Sequence, residues 1–204
     1  MPRQNRVTPA GDIVAVPPRG TLMGNRGVLH DEQGQIVRRW QVTRWIACVT
    51  EFRGRWRPIM APRRWTELFF LDEATALAAG HRPCAHCRHG DYQRFRAAFG
   101  AAHGLEAPSA GAIDRVLHAD RLDVRRQKRT YRARLDELPD GTMVELEGGA
   151  YLVHHGALDY WTFTGYGDPL RLDGATVLDV LTPRGIVAAI RAGYTPGLHG
   201  SLDR

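Results

Sequence analysis

The stretch "ELFFLDEATALAAGHRPCAHC", residues 67–87, decides how this chain is read. With Thr66 it opens as "TELFFL", a short apolar and aromatic run that predicts a strand. Asp72 follows, placed to accept hydrogen bonds from the free amides of the first turn of "EATALAAG", an alanine-rich helix that Gly80 stops. The next helix is expected to begin near Cys84. In "CRHGDYQRFRAAFGAAHG", Tyr92, Phe95 and Phe99 recur at helical spacing, Arg88, Arg94 and Arg96 fall on other faces, and Gly104 ends the run.

Between the two helices, "HRPCAHC" packs two cysteines and two histidines into residues 81–87 of a chain with 3 cysteines. A Cys-x-x-Cys pair at a turn into a helix puts two thiolates within reach of one tetrahedral zinc, and helix N-terminal amides stabilise their charge. Cys84 and Cys87 supply half of such a site. Cys48, His81, His86 and His89 are the candidates for the other ligands. Thiol redox chemistry has a mechanism too, but thioredoxin-like pairs follow a strand, whereas this one follows a short helix and "GHRP". The alternative without chemistry is two small half-buried residues starting a helix.

Outward from this stretch the pattern is mixed. Residues 1–26 are rich in proline and glycine and read as an extended arm with room for short strands. "GVLHDEQGQIVRRW" (27–40) reads as a hairpin, and "RWIACVTEF" (44–52), "RG" and "RWRPIM" (55–60) as a second one with an edge strand at Pro58. "IDRVLHADRL" (113–122) reads as a helix with Ile113, Val116 and Leu117 inward. After it come short strands, "RTYRARL", "TMVELE", "AYLVHH", "ALDYWTF" and "ATVLDVL", then Thr182 as cap, Pro183 in the first turn and "RGIVAAIRAG" as a closing helix. The fold class is therefore α+β: an arm to residue 26, a small sheet with helices over 27–105, and a helix, small antiparallel sheet and closing helix over 106–204.

Of the 204 residues, 43% are hydrophobic, enough for a buried core, and no apolar run is long enough to span a bilayer. No secretory signal is evident, and 3 cysteines do not form a disulfide framework, so a reduced, cytoplasmic setting without a membrane partner is expected. The formal net charge of +6, carried mostly by arginine, makes nucleic acid the first partner to consider.

Read as a unit, the opening stretch resembles the zinc-binding domain of the Ada family of DNA-repair proteins, over about residues 45–90. In that family a strand and an alanine-rich helix ending in an "AAG-aromatic-RPC-x-x-C" pattern deliver the second pair of zinc cysteines. The resemblance implies a small α+β unit, zinc held by four thiolates, and a thiolate that accepts a methyl group from a methylated DNA phosphate. It assigns Cys84 and Cys87 as ligands. The family's first pair falls on "WRPIM", putting Trp56 and Met60 where cysteines belong, so the methyl-accepting position carries no thiol and Cys48 is the outside candidate for both metal and methyl. Either zinc in a variant site or no metal at all follows, with apolar groups filling the space.

"RRQKRTYRAR", residues 125–134, is the strongest basic stretch. Arg125, Arg126, Lys128, Arg129, Arg132 and Arg134 can track a phosphate backbone, and Tyr131 can stack on a base; an edge strand guarded by charge is the plainer reading. "GNRG" (24–27) could turn its amides to an anion or simply turn the chain. The adjacent His154 and His155 are expected on opposite faces of a strand and so not on one ion. "DYWTFTGYG" (159–167) reads as core plus turn. His118 and Asp120 lack the companions of a nuclease metal motif. The resulting expectation is a DNA-associated protein built on a variant Ada-type metal domain, with a thiol methyl acceptor or another enzyme sited in the C-terminal sheet as the alternative.

Overall fold

The computed structural model describes residues 1–54 and 58–203. It is an α+β structure with two six-stranded sheets and four helices among those residues.

The first sheet takes β1 (Gln4–Val7), β2 (Ile13–Ala15), β3 (Leu22–Asn25), β4 (Ile46–Val49), β5 (Leu68–Phe70) and β6 (Arg82–Pro83) in the order β2-β1-β5-β3-β4-β6. The N-terminal residues are thus extended, as expected, but built into the sheet instead of lying along it. Gly24 shows why β3 fits between its neighbours: a Cβ there would stand 2.2 Å from the Ile46 carbonyl oxygen and 2.9 Å from the Phe70 ring. The hairpin expected over 27–40 is reduced to one antiparallel bridge, His30 to Ile36. The second hairpin does not form as expected. β4 pairs with β3 and β6, residues 58–60 form no strand, and residues 55–57 lie outside the described residues.

Helix α1 (Glu73–Ala78) begins at Asp72, whose Oδ1 accepts from the Thr75 amide at 2.9 Å and the Thr75 hydroxyl at 2.8 Å. It ends at Gly80, whose φ of +89° suits a residue without a Cβ. All of α1 is buried, because it lies between the sheets. Leu71, Ala74 and Ala78 pack on Met143, Leu152, Trp161 and Leu181 of the second sheet, while Ala76 and Ala79 pack with Val7, Leu68 and Phe70 of the first.

Helix α2 (His89–His103) ends at Gly104 in the left-handed region, and α3 (Ala110–Arg121) starts at Ser109, whose hydroxyl accepts from Ala112. Tyr92, Phe95 and Phe99 meet Ile113, Leu117 and Ile186 in one core, with Val116 packed beside them, as the periodicity predicts.

The second sheet is antiparallel throughout: β7 (Tyr131–Arg134), β8 (Met143–Leu146), β9 (Gly149–His154), β10 (Ala157–Thr162), β11 (Gly165–Leu170) and β12 (Val177–Val180), in the order β11-β10-β9-β8-β12-β7. Strand β11 was not expected, because Gly165, Gly167 and Pro169 disguise it; as an edge strand it tolerates them. The closing helix α4 (Arg184–Arg191) begins one residue later than expected, with Pro183 at the cap and the Thr182 hydroxyl accepting from the Met143 amide. His155 lies in the turn after β9 with φ of +50°, so its ring approaches that of His154 to 4.1 Å instead of facing away. Each pairs with its own carboxylate, Asp159 for His154 and Asp140 for His155.

Candidate metal centre

Cys48 sits on β4, and the parallel pairing of β4 with β6 brings the Cys-x-x-Cys turn beside it. Ala47 is in register with Pro83, and the Cys84 amide donates to the Ala47 carbonyl at 2.9 Å. The turn closes with the Arg88 amide on the Cys84 carbonyl at 3.1 Å, ahead of α2. The three sulfurs consequently lie within 4.8 Å of one another. Zinc with Zn–S bonds of about 2.3 Å in tetrahedral geometry separates sulfurs by about 3.8 Å, so this cluster lies near the spacing such a site requires. Three thiols, no disulfide and a soft donor set suit zinc or a similar thiophilic ion.

Two buried ion pairs hold the turn from either end. Arg82, two residues before Cys84, meets Asp114 of α3. Arg88, directly after Cys87, meets Glu73 of α1 at 2.9 Å and Asp91 at 2.7 Å. Glu73 also accepts from the Tyr194 hydroxyl and the Gly197 amide. Pairs this buried contribute little net stability, but losing one partner strands a charge, so they fix geometry.

The sulfurs are electrostatically coupled. A hydrogen bond with Cys48 holds the Cys84 thiol well below its usual range, helped by the Cys87 and His86 amides, and the same bond together with burial pushes Cys48 far up. Cys87 is raised, mainly by burial, against the pull of the Val49 amide. The negative charge is thereby favoured on Cys84 over Cys48.

The cluster opens on a cavity of about 650 Å³. Met23, Ile46, Phe52, Ile59, Trp65 and Phe69 make it mostly apolar; Arg3, Glu67 and His86 add polar groups. Glu67, the one carboxylate among the described lining residues, is buried and accepts from the Met60 amide at 2.7 Å. Sequence reading missed Glu67, Trp65 and Arg3, which come from separate elements and share no motif.

Of the ligand candidates, Cys48, Cys84 and Cys87 come together and the histidines do not join them among the described residues. His81 is wholly buried between the rings of Trp45 and Phe70. His86 lines the cavity with its ring on Phe52. His89 is exposed and bonded to the Ala85 carbonyl. Met60 is buried but is not a lining residue, and Trp56 lies outside the described residues.

The basic segment is partly used internally. The Lys128 ammonium donates to the Ala78 carbonyl at 2.6 Å, Arg129 donates to the Ala119 carbonyl, Arg134 pairs with Asp136, and the Tyr131 ring carries the Arg184 guanidinium 3.8 Å from its centre. Arg125, Arg126 and Arg132 are exposed. No helix among the described residues is long and apolar enough to cross a membrane. No protein-family model matches the chain, and neither curated proteins nor solved structures give a match.

Proposed function

We propose that this protein is a zinc–thiolate protein that engages DNA and accepts an alkyl group from a methylated phosphate. The observation that carries the reading is the convergence of three sulfurs, from a strand and a turn, on the floor of an open apolar cavity. A closed structural site has four protein ligands; three ligands facing a cavity leave a position for reaction. When bound, zinc would keep all three sulfurs deprotonated at neutral pH.

Cys48 is the sulfur best suited to react. All three sulfurs line the cavity, but Cys84 and Cys87 accept backbone amide hydrogen bonds, which draw charge away from them, whereas the bonds of Cys48 are to the other two sulfurs. Its lone pair forms the S–C bond to the methyl carbon. The C–O bond breaks, its electron pair leaves on the phosphate oxygen as a phosphodiester anion, and Cys48 ends as a methyl thioether. Phe52, Trp65 and Phe69 fit a methyl group and exclude water. The net charge of +6, the exposed Arg125, Arg126 and Arg132, and the likeness of residues 45–90 to Ada-type zinc domains support DNA as the carrier.

The test is the intact mass after incubation with DNA carrying methyl phosphotriesters. The reading expects a gain of one methyl, located on the Cys48 peptide and lost in Cys48→Ser. An unchanged mass overturns methyl transfer, and salt-sensitive DNA binding alongside it would leave a binding role alone.

A further inference from the structure

A second cluster of charge lies away from the sulfurs, on the side of the first sheet where β3, α3 and the basic segment meet. Arg26, Arg39, Arg121 and Lys128 line a small cavity with Ala10, Gly11, Trp45 and Ala79, and none of its described lining residues is a carboxylate. Arg26 and Arg121 are 3% and 2% exposed. Their guanidinium groups lie over the Trp45 ring, 4.7 and 4.8 Å from it.

Three of the four cations are tied to backbone carbonyls: Arg26 to Gly11 at 2.7 Å, Arg121 to Gly80 at 2.6 Å and Thr43 at 2.7 Å, Lys128 to Ala78 at 2.6 Å. Carbonyls satisfy donors but do not cancel charge. Three carboxylates act on these cations from outside the cavity lining: Asp12 pairs with the exposed Arg39 at the rim, Asp114 with Arg82, and Asp120 accepts from the Gly185 amide. Arg26 Nε and Arg121 Nη2 are buried and have no hydrogen-bond partner among the described residues. Both ring nitrogens of His81, buried beside these arginines, are likewise without one.

Gathering like charges away from water is costly unless a counter-charge joins them. Both guanidinium groups stay protonated at neutral pH. Burial, then the field of Arg26, pushes the Lys128 ammonium down to about 7. Arg121 adds to that depression and Asp12 opposes it.

We propose that this cavity is a binding site for a phosphate-type oxyanion, held by Arg26, Arg121 and Lys128 with Arg39 at the rim. The cavity holds about 30 Å³, room for roughly two water-sized atoms, so it takes one or two oxygens of a phosphate and leaves the remainder of the ligand outside. Arg26 Nε and Arg121 Nη2 each keep a hydrogen to donate, and Lys128 adds a point charge. The site shares no residue with the sulfur cavity, and it stands whether or not the cysteines hold a metal.

The experiment is thermal unfolding of the full chain against rising inorganic phosphate at constant ionic strength. A second arm uses a short 5′-phosphorylated oligonucleotide beside the same strand with a 5′-hydroxyl. Lys128→Met and Arg39→Ala are run in parallel, the latter at an exposed rim position where folding is not at risk. The proposal expects a saturating rise in midpoint, weakened at least tenfold in apparent affinity by Lys128→Met and several-fold by Arg39→Ala. Protection by inorganic phosphate alone identifies a free anion as the ligand, and protection by the 5′-phosphorylated strand identifies nucleic acid; either supports the site. A rise that never saturates and is equal in all three proteins is a general salt effect and overturns it.

Discussion

Arg82 and Asp114 are joined by two parallel hydrogen bonds, Nε to Oδ1 at 2.9 Å and Nη2 to Oδ2 at 2.8 Å, with both side chains almost fully buried. The remaining Arg82 nitrogen donates to the Pro83 carbonyl at 2.9 Å, and the Tyr92 ring covers the guanidinium. Helix α3 thereby sets the backbone from which Cys84 projects. Asp114→Ala leaves a guanidinium unpaired in the core and is expected to cost about 3–5 kcal/mol. Urea unfolding measures this, and a loss under about 1 kcal/mol, the range of an exposed pair, would show that the pair does not hold the turn.

Asp72 ties the two halves of the fold together. Its carboxylate caps α1 and also accepts from the Tyr166 hydroxyl at 2.8 Å and the His199 amide at 3.1 Å. Tyr166→Phe removes a charge-assisted bond from a buried acceptor and is expected to cost about 1.5–3 kcal/mol in thermal or urea unfolding. Tyr160→Phe, on the exposed side of β10, is the control, with a change within about 0.5 kcal/mol.

Lys128 makes stability depend on pH. Burial, then the field of Arg26, holds its folded pKa at about 7, below the ordinary lysine value of 10.5. Above 10.5 both states are neutral. As pH falls from there to about 7, the unfolded chain holds a proton that the folded one lacks, so stability drops, and it levels off below 7. In phosphate-free buffer Lys128→Met is expected to flatten this slope and to be more stable than wild type at neutral pH. Parallel slopes for the two proteins would refute the assignment.

Arg125, Arg126 and Arg132 are the exposed residues of the basic segment free of the internal bonds described for Lys128, Arg129 and Arg134. If they meet DNA phosphates, replacing all three with alanine lowers the slope of log affinity against log salt by up to about 2.7, at about 0.9 per contact. Anisotropy titrations at several salt concentrations read this directly. An unchanged slope would place DNA elsewhere.

The helices were legible because their signals are local. Asp72, Gly80 and Gly104 mark ends within a turn, and Tyr92, Phe95 and Phe99 announce a buried face at helical spacing, whereas α3 starts at Ser109, ahead of the helix expected from Ile113. Cys48 was legible only as a candidate, since its approach to Cys84 and Cys87 depends on β4 pairing in parallel with a two-residue strand more than 30 positions away. Glu67 and Trp65 belong to the cavity for similar long-range reasons. The basic segment was legible only as charge: whether Lys128 reaches water or the Ala78 carbonyl is decided by packing. The same packing gathered Arg26 with Arg121 and Lys128 from two distant stretches.

The account rests on the three sulfurs acting as one metal site, and elemental analysis of the purified chain measures that most directly. It predicts about one zinc per chain, absent from a Cys84→Ser, Cys87→Ser double variant and reduced in Cys48→Ser, with a lower unfolding midpoint after chelation. No metal in the wild type after refolding with zinc, or equal metal in wild type and double variant, would contradict it.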